Sequence, residues 1–393
     1  MAVYYINLAL IFLLAFPLCI IKPAKWKKAV YLAITFGWMW CLATFRYNIG
    51  FDYDSYIDIF DQLTQSGSIK TMLDKGFEPG FLLLTRFMTF FVQSSVVMYG
   101  IYSAIIFIPV AWFIYKYCDT AWLSTWLFVT LAFFPTELNF IRQGIACSIS
   151  LLGYKFLREK KLLPYLLIVL LAASFHKTAL ILIPIYFLCH IKLNKKLAIF
   201  YASATLVAYL TSEFILDFVT RHIFSSYIGT IWLTEGFPLY FIIIPIGIFA
   251  SCAAFYPFWK KRDPDSSMLL NLIMFSTIIW IFITRHFILE RFSMYVYIFV
   301  LIALPSAISC FKASADDIKK LETMKAEASS KKSKPSKEAQ AAITALSVKI
   351  GDGKKYYWSA VIAIMVVTLI YHEFGANVNN FHGIYPYTSI FSK

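Results

Sequence analysis

The sequence is poor in charge, and its charge is lopsided. Only 15% of the 393 residues are Asp, Glu, Lys or Arg, and basic residues outnumber acidic ones 36 to 22. Cysteine is sparse as well. The seven present (Cys19, Cys41, Cys118, Cys147, Cys189, Cys252 and Cys310) lie inside or at the ends of apolar runs with no CxxC pair, which speaks against disulfides and structural zinc. The chain also lacks a GxxxxGK[ST] phosphate loop, a GxSxG elbow and an HExxH pair. ATP-driven transport, soluble-type phosphotransfer, serine hydrolysis and zincin chemistry are therefore disfavoured. The first apolar run, ending at Ile21, has neither a basic leader nor a small-residue cleavage site, so it reads as a retained span.

What is abundant is apolar character: 60% of the residues are hydrophobic, 19% of the whole chain is aromatic, and the mean hydropathy is +0.68. That composition predicts an all-α polytopic integral membrane protein. The net charge of +14 would suggest nucleic acid in a soluble protein. Here the basic residues cluster between apolar runs, where they act as topology signals, so no nucleic-acid partner is expected. About 12 spans are expected, at 1–21, 29–45, 97–115, 121–135, 140–157, 162–174, 178–190, 197–212, 238–257, 268–284, 292–310 and 356–373. With the first residue outside, 26 basic and 10 acidic residues fall on the cytoplasmic side, against 10 and 12 on the other. That asymmetry satisfies the positive-inside bias.

This layout requires 77–92, with Glu78-Pro79-Gly80 at its start and Arg86 in its middle, to be a re-entrant or interfacial helix; if it crosses, every later loop inverts. The stretch 213–228 has the spacing of an amphipathic helix on the outer surface. Three regions follow: a transmembrane core over 1–311, a lysine-rich cytoplasmic linker over 312–355, and a last span with an extracytoplasmic tail over 356–393. Within the linker, Asp316–Glu327 reads as a helix on anionic headgroups and SSKKSKPSKEAQ as disordered.

The outer face then collects ionisable residues from six segments: Arg46 with Asp52, Tyr53, Asp54 and Tyr56; Glu78 and Arg86; Arg142 with Gln143; His176 with Lys177; Arg285 with His286; and Glu290 with Arg291. Such residues at bilayer depth are costly and point to function, and one polar cavity is more economical than six accidents. Several arginines without a Cys–His cluster suit a phosphate or pyrophosphate held on a lipid, because guanidinium grips such oxygens bidentately. A neighbouring histidine or carboxylate can take a proton from an attacking hydroxyl. His176 is the first candidate base, with Asp52 and Glu78 behind it. No cofactor and no metal is required, although Asp52 and Asp54 form a pair able to hold a divalent ion. Simpler readings stand beside these: His176 as a helix-boundary cap, Glu290 as a partner of Arg291 or His286, and Tyr53, Tyr56, Tyr385 and Tyr387 as an aromatic belt.

Taken in order, FRYNIGFDYDSY, FEPGFLLL, NFIRQGIACSI, ASFHKTALILIP and RHFILERFSMY resemble the motif blocks of the EpsG/Wzy-type polysaccharide polymerases. The resemblance runs from Arg46 to Tyr295. It implies a GT-C-like fold and a glycosyltransferase that joins undecaprenyl-pyrophosphate-linked oligosaccharide repeats at the outer face of the bacterial inner membrane. It also implies His176, Asp52 and Glu78 as catalytic candidates, and Arg46, Tyr53, Arg142, Gln143, Arg285, Glu290 and Arg291 as substrate-binding ones; Lys177 and His286, beside them on the same face, join the substrate-binding set. A flippase and a chain-length regulator are the implied protein partners. The alternative is a membrane transferase that adds one sugar from a lipid-phosphate donor. An O-acyltransferase would need its donor on the opposite face, and a transporter would need a midplane site.

Overall fold

The computed structural model describes residues 2–66, 68–192, 194–222, 236–330, 337–377, 380 and 383–392. Within them the regular structure is helical, with one isolated β-bridge between Arg46 and Ser389. A backbone in hydrocarbon must satisfy its own polar groups, and a helix does so within one segment.

In chain order the principal helices are α1 (Ala2–Ala15), α2 (Lys25–Phe45), α3 (Tyr53–Ser66), α4 (Pro79–Met88), α5 (Ser95–Tyr117), α6 (Ala121–Thr130), α7 (Phe133–Asn139), α8 (Ile141–Leu151), α9 (Leu162–Ala173) and α10 (Leu182–Leu188). There follow α11 (Lys195–Leu210), α12 (Ser212–His222), α13 (Ile243–Trp259), α14 (Ser266–Ile283), α15 (Glu290–Tyr297), α16 (Val300–Ile308), α17 (Ala315–Ser330) and α18 (Lys337–Asn377).

Among the described residues six helices are long and apolar enough to cross a membrane, and counting two bent pairs, α6–α7 and the stretch from Phe287 through α16, raises this to eight. The chain is thus a multi-pass membrane protein, with fewer full-length crossings than the twelve apolar runs suggested. The shortfall has local causes. The run 121–139 breaks where Ala132 takes a left-handed conformation, with φ of 66°, and bends by 53°. The expected span 140–157 is cut at Leu152-Gly153, leaving α8 at 11 residues. Helices α9 and the segment Lys177–Leu188 are apolar but short. Helix α4 has 10 residues, about 15 Å of rise and half the hydrocarbon thickness, so it does not cross by itself.

Two other expectations are adjusted. The amphipathic stretch 213–228 holds a helix over Ser212–His222, with Arg221 and Asp217 paired one turn apart at 2.8 Å, and 223–228 lies outside the described residues. The last span is part of a 41-residue helix, α18, that begins well before 356. Its first half packs against α17 as a hairpin joined by Lys349 and Asp317 at 3.3 Å. Much of the linker is therefore helical, and residues 331–336 lie outside the described set.

The core is built by α2 on α5, α5 on α8, α8 on α9, and α14 between α13 and α15. Large side chains such as Leu163, Leu167, Phe200 and Ile108 remain exposed on the perimeter, as lipid-facing surface requires. The bundle has two chemically distinct ends. Lys25 and Lys28 open α2 and Lys116 closes α5, while Arg46 follows the far end of α2 and Tyr99 lies in the opening turns of α5. Those ends are about 30 Å apart by helix length.

Candidate active site

Glu78 stands immediately before Pro79, and proline holds its predecessor extended while fitting the first turn of a helix. Glu78 is extended, with φ −76° and ψ 141°, at the start of α4. The next residue, Gly80, sets where this corner sits. Its N–H donates to the Ser174 carbonyl at 2.7 Å, and a Cβ on it would lie 2.3 Å from Ser174 Oγ. Only glycine lets the start of α4 lie directly on the chain leaving α9. That chain turns at Ser174 and extends through His176, with φ −157°, which brings His176 onto Glu78.

The Glu78 carboxylate is shared by three donors. Its Oε2 accepts from Arg142 Nη1 at 2.5 Å, and its Oε1 meets His176 Nδ1 at 3.0 Å and the Lys177 N–H at 3.3 Å. Arg142 lies in the first turn of α8, its guanidinium 4.8 Å from the Phe77 ring and its N–H donating to Tyr56 Oη at 3.4 Å. Gln143 Nε2 donates to the Arg291 carbonyl at 2.9 Å, and Thr178 Oγ1 donates to Tyr295 Oη at 3.3 Å, so α15 joins the same cluster. The Arg291 guanidinium packs 5.6 Å from Phe140, and Glu290 is buried at the start of α15.

Electrostatics follow from this packing. Burial opposes ionisation of Glu78, but the His176 hydrogen bond, the Arg142 charge and the Lys177 N–H outweigh it and hold the carboxyl at about 2. For His176 burial dominates and lowers its pKa from the ordinary value; Glu78 pulls it up, while Arg142 and Arg291 add to the lowering. His176 is thus neutral near pH 7. An ionised carboxylate can only accept, so Nδ1 carries the hydrogen, and the Nε2 lone pair remains. Among the described residues that buried Nε2 has no hydrogen-bond partner.

The other expected site residues form separate groups. Arg46 is 2% exposed; it donates to the Ala43 carbonyl and lies 4.1 Å from the Tyr99 ring, with burial lowering its pKa. Tyr53 stacks on Tyr99 at 4.9 Å, and its Oη donates to the Arg46 carbonyl at 3.4 Å. The Asp52 N–H donates to Asn139 Oδ1 at 3.0 Å, which ties this nest to the α7–α8 corner. Arg285 turns instead to the α11–α12 junction, donating to the Tyr209 carbonyl at 2.6 Å and Ser212 Oγ at 3.2 Å, with Glu213 at 3.4 Å. His286 Nε2 also meets Ser212 Oγ, at 3.1 Å. Tyr385 packs on Tyr4 at 4.6 Å, and Tyr387 donates to the Leu42 carbonyl at 2.9 Å.

The sequence reading missed Glu137. It is 3% exposed in α7, and its carboxylate oxygens have no hydrogen-bond partner among the described residues. A Cβ on Gly144 would lie 1.7 Å from its Oε2, so Glu137 reaches α8 two residues beyond Arg142. The available signal was a carboxylate inside an apolar run. Among the described residues no three of His, Cys, Asp and Glu are grouped as metal ligands. Neither a curated protein nor a solved structure matches the chain. A family model does match, over residues 29–321, a stretch that contains Glu78, Arg142, His176 and Arg291, and the chain belongs to the EpsG family.

Proposed function

We propose that this protein is a membrane polysaccharide polymerase that joins undecaprenyl-pyrophosphate-linked oligosaccharide repeats by glycosyl transfer. Family membership and the helical membrane architecture support the general reading. The observation that carries the chemistry is His176, fixed through Nδ1 on Glu78 with its Nε2 lone pair uncommitted.

A hydroxyl of one lipid-linked repeat attacks the anomeric carbon of the growing chain. The new C–O bond forms as the bond to the pyrophosphate oxygen breaks, and the hydroxyl proton passes to His176 Nε2. Glu78 acts as the positioning partner that fixes the tautomer and stabilises the imidazolium, since a carboxyl held at about 2 is a weak base near pH 7. Arg142 holds Glu78 and, with Arg291, supplies positive charge as the pyrophosphate leaves; charge that develops in the transition state is where fixed cations lower a barrier. Arg46 and Tyr53 shape the first outer loop, and Arg285 with His286 braces the far rim.

The proposed setting is the bacterial inner membrane, with the site at the extracytoplasmic face and the lysine-rich end of the bundle in the cytoplasm. A GT-C-like architecture accords with a site at one end of a multi-span bundle. The 1–311 core would carry the chemistry and 312–355 would remain on the opposite side. A flippase would deliver repeats and a chain-length regulator would set the product.

The test is the lipid-linked glycan that accumulates in native cells lacking this protein, compared with cells carrying His176→Ala. Complete repeats on undecaprenyl pyrophosphate without polymer are expected in both. A repeat lacking one sugar would assign the chain to single-sugar transfer, and intact polymer would overturn the proposal.

A further inference from the structure

At the end of the bundle opposite His176, a half-open cavity of about 870 Å³ lies between the α1–α2 turn, the end of α5 and the α17–α18 hairpin. Its rim carries Lys25, Lys28, Lys116, Lys312 and Lys354, with Asp119 as the single carboxylate in the lining. Among the described residues none of the five lysines forms an ion pair. Three are steered by neutral groups: Lys28 Nζ donates to the Cys118 carbonyl at 2.5 Å, Lys312 Nζ lies 4.4 Å from the Tyr357 ring, and Lys116 Nζ lies 4.7 Å from the Trp112 ring. The wall is aromatic, with Trp122 and Trp358 stacked at 6.2 Å.

Five ammonium groups around one concavity repel each other, and each gains when an anion enters. The volume is that of a small-molecule site, and basic pockets between membrane helices at this level suit phosphorylated headgroups. An apolar aromatic wall beneath a cationic rim also matches an amphiphile whose phosphate stays at the rim. We infer that this cavity binds a phosphate-bearing anion, an anionic phospholipid headgroup or a soluble phosphoanhydride, and that the ligand links the α17–α18 hairpin to the core. Lys25, Lys28 and Lys116 come from the core, whereas Lys312 and Lys354 flank the hairpin. A phosphate shared between the two sets bridges them.

The experiment uses the full chain in nanodiscs of zwitterionic phosphatidylcholine. One arm titrates phosphatidylglycerol into the discs; the other adds inorganic pyrophosphate or ADP to the buffer. Both read the thermal midpoint and the rate of proteolysis within 315–355. In the wild type at least one arm is expected to raise the midpoint by several degrees and to slow cleavage at least threefold. A response to the lipid alone assigns the site to a headgroup, and a response to the soluble anions alone assigns it to a free phosphate. The triple variant Lys28→Gln/Lys116→Gln/Lys354→Gln should need at least tenfold more of the active anion. Lys116→Glu, which alters one rim position only, should weaken the response in the same direction and serves if the triple variant does not fold. No response in either arm, or an undiminished response in the folded variants, overturns the inference.

Discussion

Replacing Glu78 by Gln keeps the side-chain shape and removes one charge, so it isolates the positioning role from packing. In the wild type Oε1 accepts from His176 Nδ1–H at 3.0 Å, and Oε2 pairs with Arg142 at 2.5 Å. A glutamine amide can turn its NH₂ toward His176 Nδ1, which stabilises the tautomer with hydrogen on Nε2 and blocks the proposed base. A general base contributes about 10²- to 10⁴-fold to rate, so the barrier should rise by about 3 to 5 kcal/mol. Losing the charge-assisted bond to Arg142 should also destabilise the fold by about 1.5–3 kcal/mol.

The pH profile separates these effects. Activity requires unprotonated Nε2, so wild-type kcat/KM should be flat near neutrality and fall on the acid side below the ordinary histidine value of 6.5, because burial lowers the His176 pKa. Glu78 pulls that pKa upward; its neutralisation should therefore move the acid limb to lower pH while the plateau drops. The stabilisation from ionised Glu78 is present above the ordinary carboxylate value and is lost only as pH falls through about 2, so it does not distort a profile taken near neutrality. The assay is single-turnover elongation of purified lipid-linked repeats by reconstituted protein. A Glu78→Gln plateau within threefold of wild type, or an acid limb displaced to higher pH, would refute the Glu78–His176 arrangement as the source of the base.

Gly80→Ala should place a methyl against the Ser174 carbonyl, 2.7 Å away, as well as its Oγ. Overpacking of this kind costs about 1–3 kcal/mol, and a displacement of order 1 Å at Glu78 can cost about 10²-fold in rate; thermal melting and elongation should both fall. Arg142→Ala should abolish polymer while the protein remains inserted, whereas Arg285→Ala, whose side chain contacts Tyr209 and Ser212 at the rim, should lower elongation by about tenfold or less; equal losses would contradict that division. Asn194→Cys, at the start of α11, should resist an impermeant thiol reagent added to intact cells, and labelling there would reverse the proposed orientation. That residue caps the helix through the Leu197 N–H, so the substitution should also cost about 1 kcal/mol of stability.

Composition and hydropathy made the membrane class legible, and the pattern of charge led to the expectation that Glu78, Arg142 and His176 share one face. The grouping within that face was not legible. Arg142 and Arg285 have the same chemistry, and nothing local tells that one meets Glu78 while the other turns toward Ser212; that depends on which helices become neighbours. The number of full-length spans was hard to read for a related reason. Hydropathy treats 121–135 and 140–157 as uninterrupted, but Ala132 adopts positive φ and the chain turns at Leu152-Gly153, changes of backbone direction that an apolar count does not register. The linker was legible in part. Asp316–Glu327 was expected to be helical and lies within α17, and 331–336 of the stretch expected to be disordered lie outside the described residues; the lysine-, alanine- and glutamate-containing stretch from Lys337, made of good helix formers, continues as the first half of α18. Glu137 escaped notice because a lone carboxylate in an apolar run shows no partner in the sequence.

The bridge between Arg46 and Ser389 has a bearing on biogenesis. The Thr388 hydroxyl and the Tyr47 carbonyl beside it join residues 341 positions apart, so the loop after α2 acquires this contact only once the intervening helices have been made. Until 383–392 have been made, the loop after α2 lacks these contacts, and a nascent chain stalled before that point holds a bundle with that loop unfinished. Contacts of such long range form late. The arrangement makes synthesis of 383–392 a condition for a settled loop after α2.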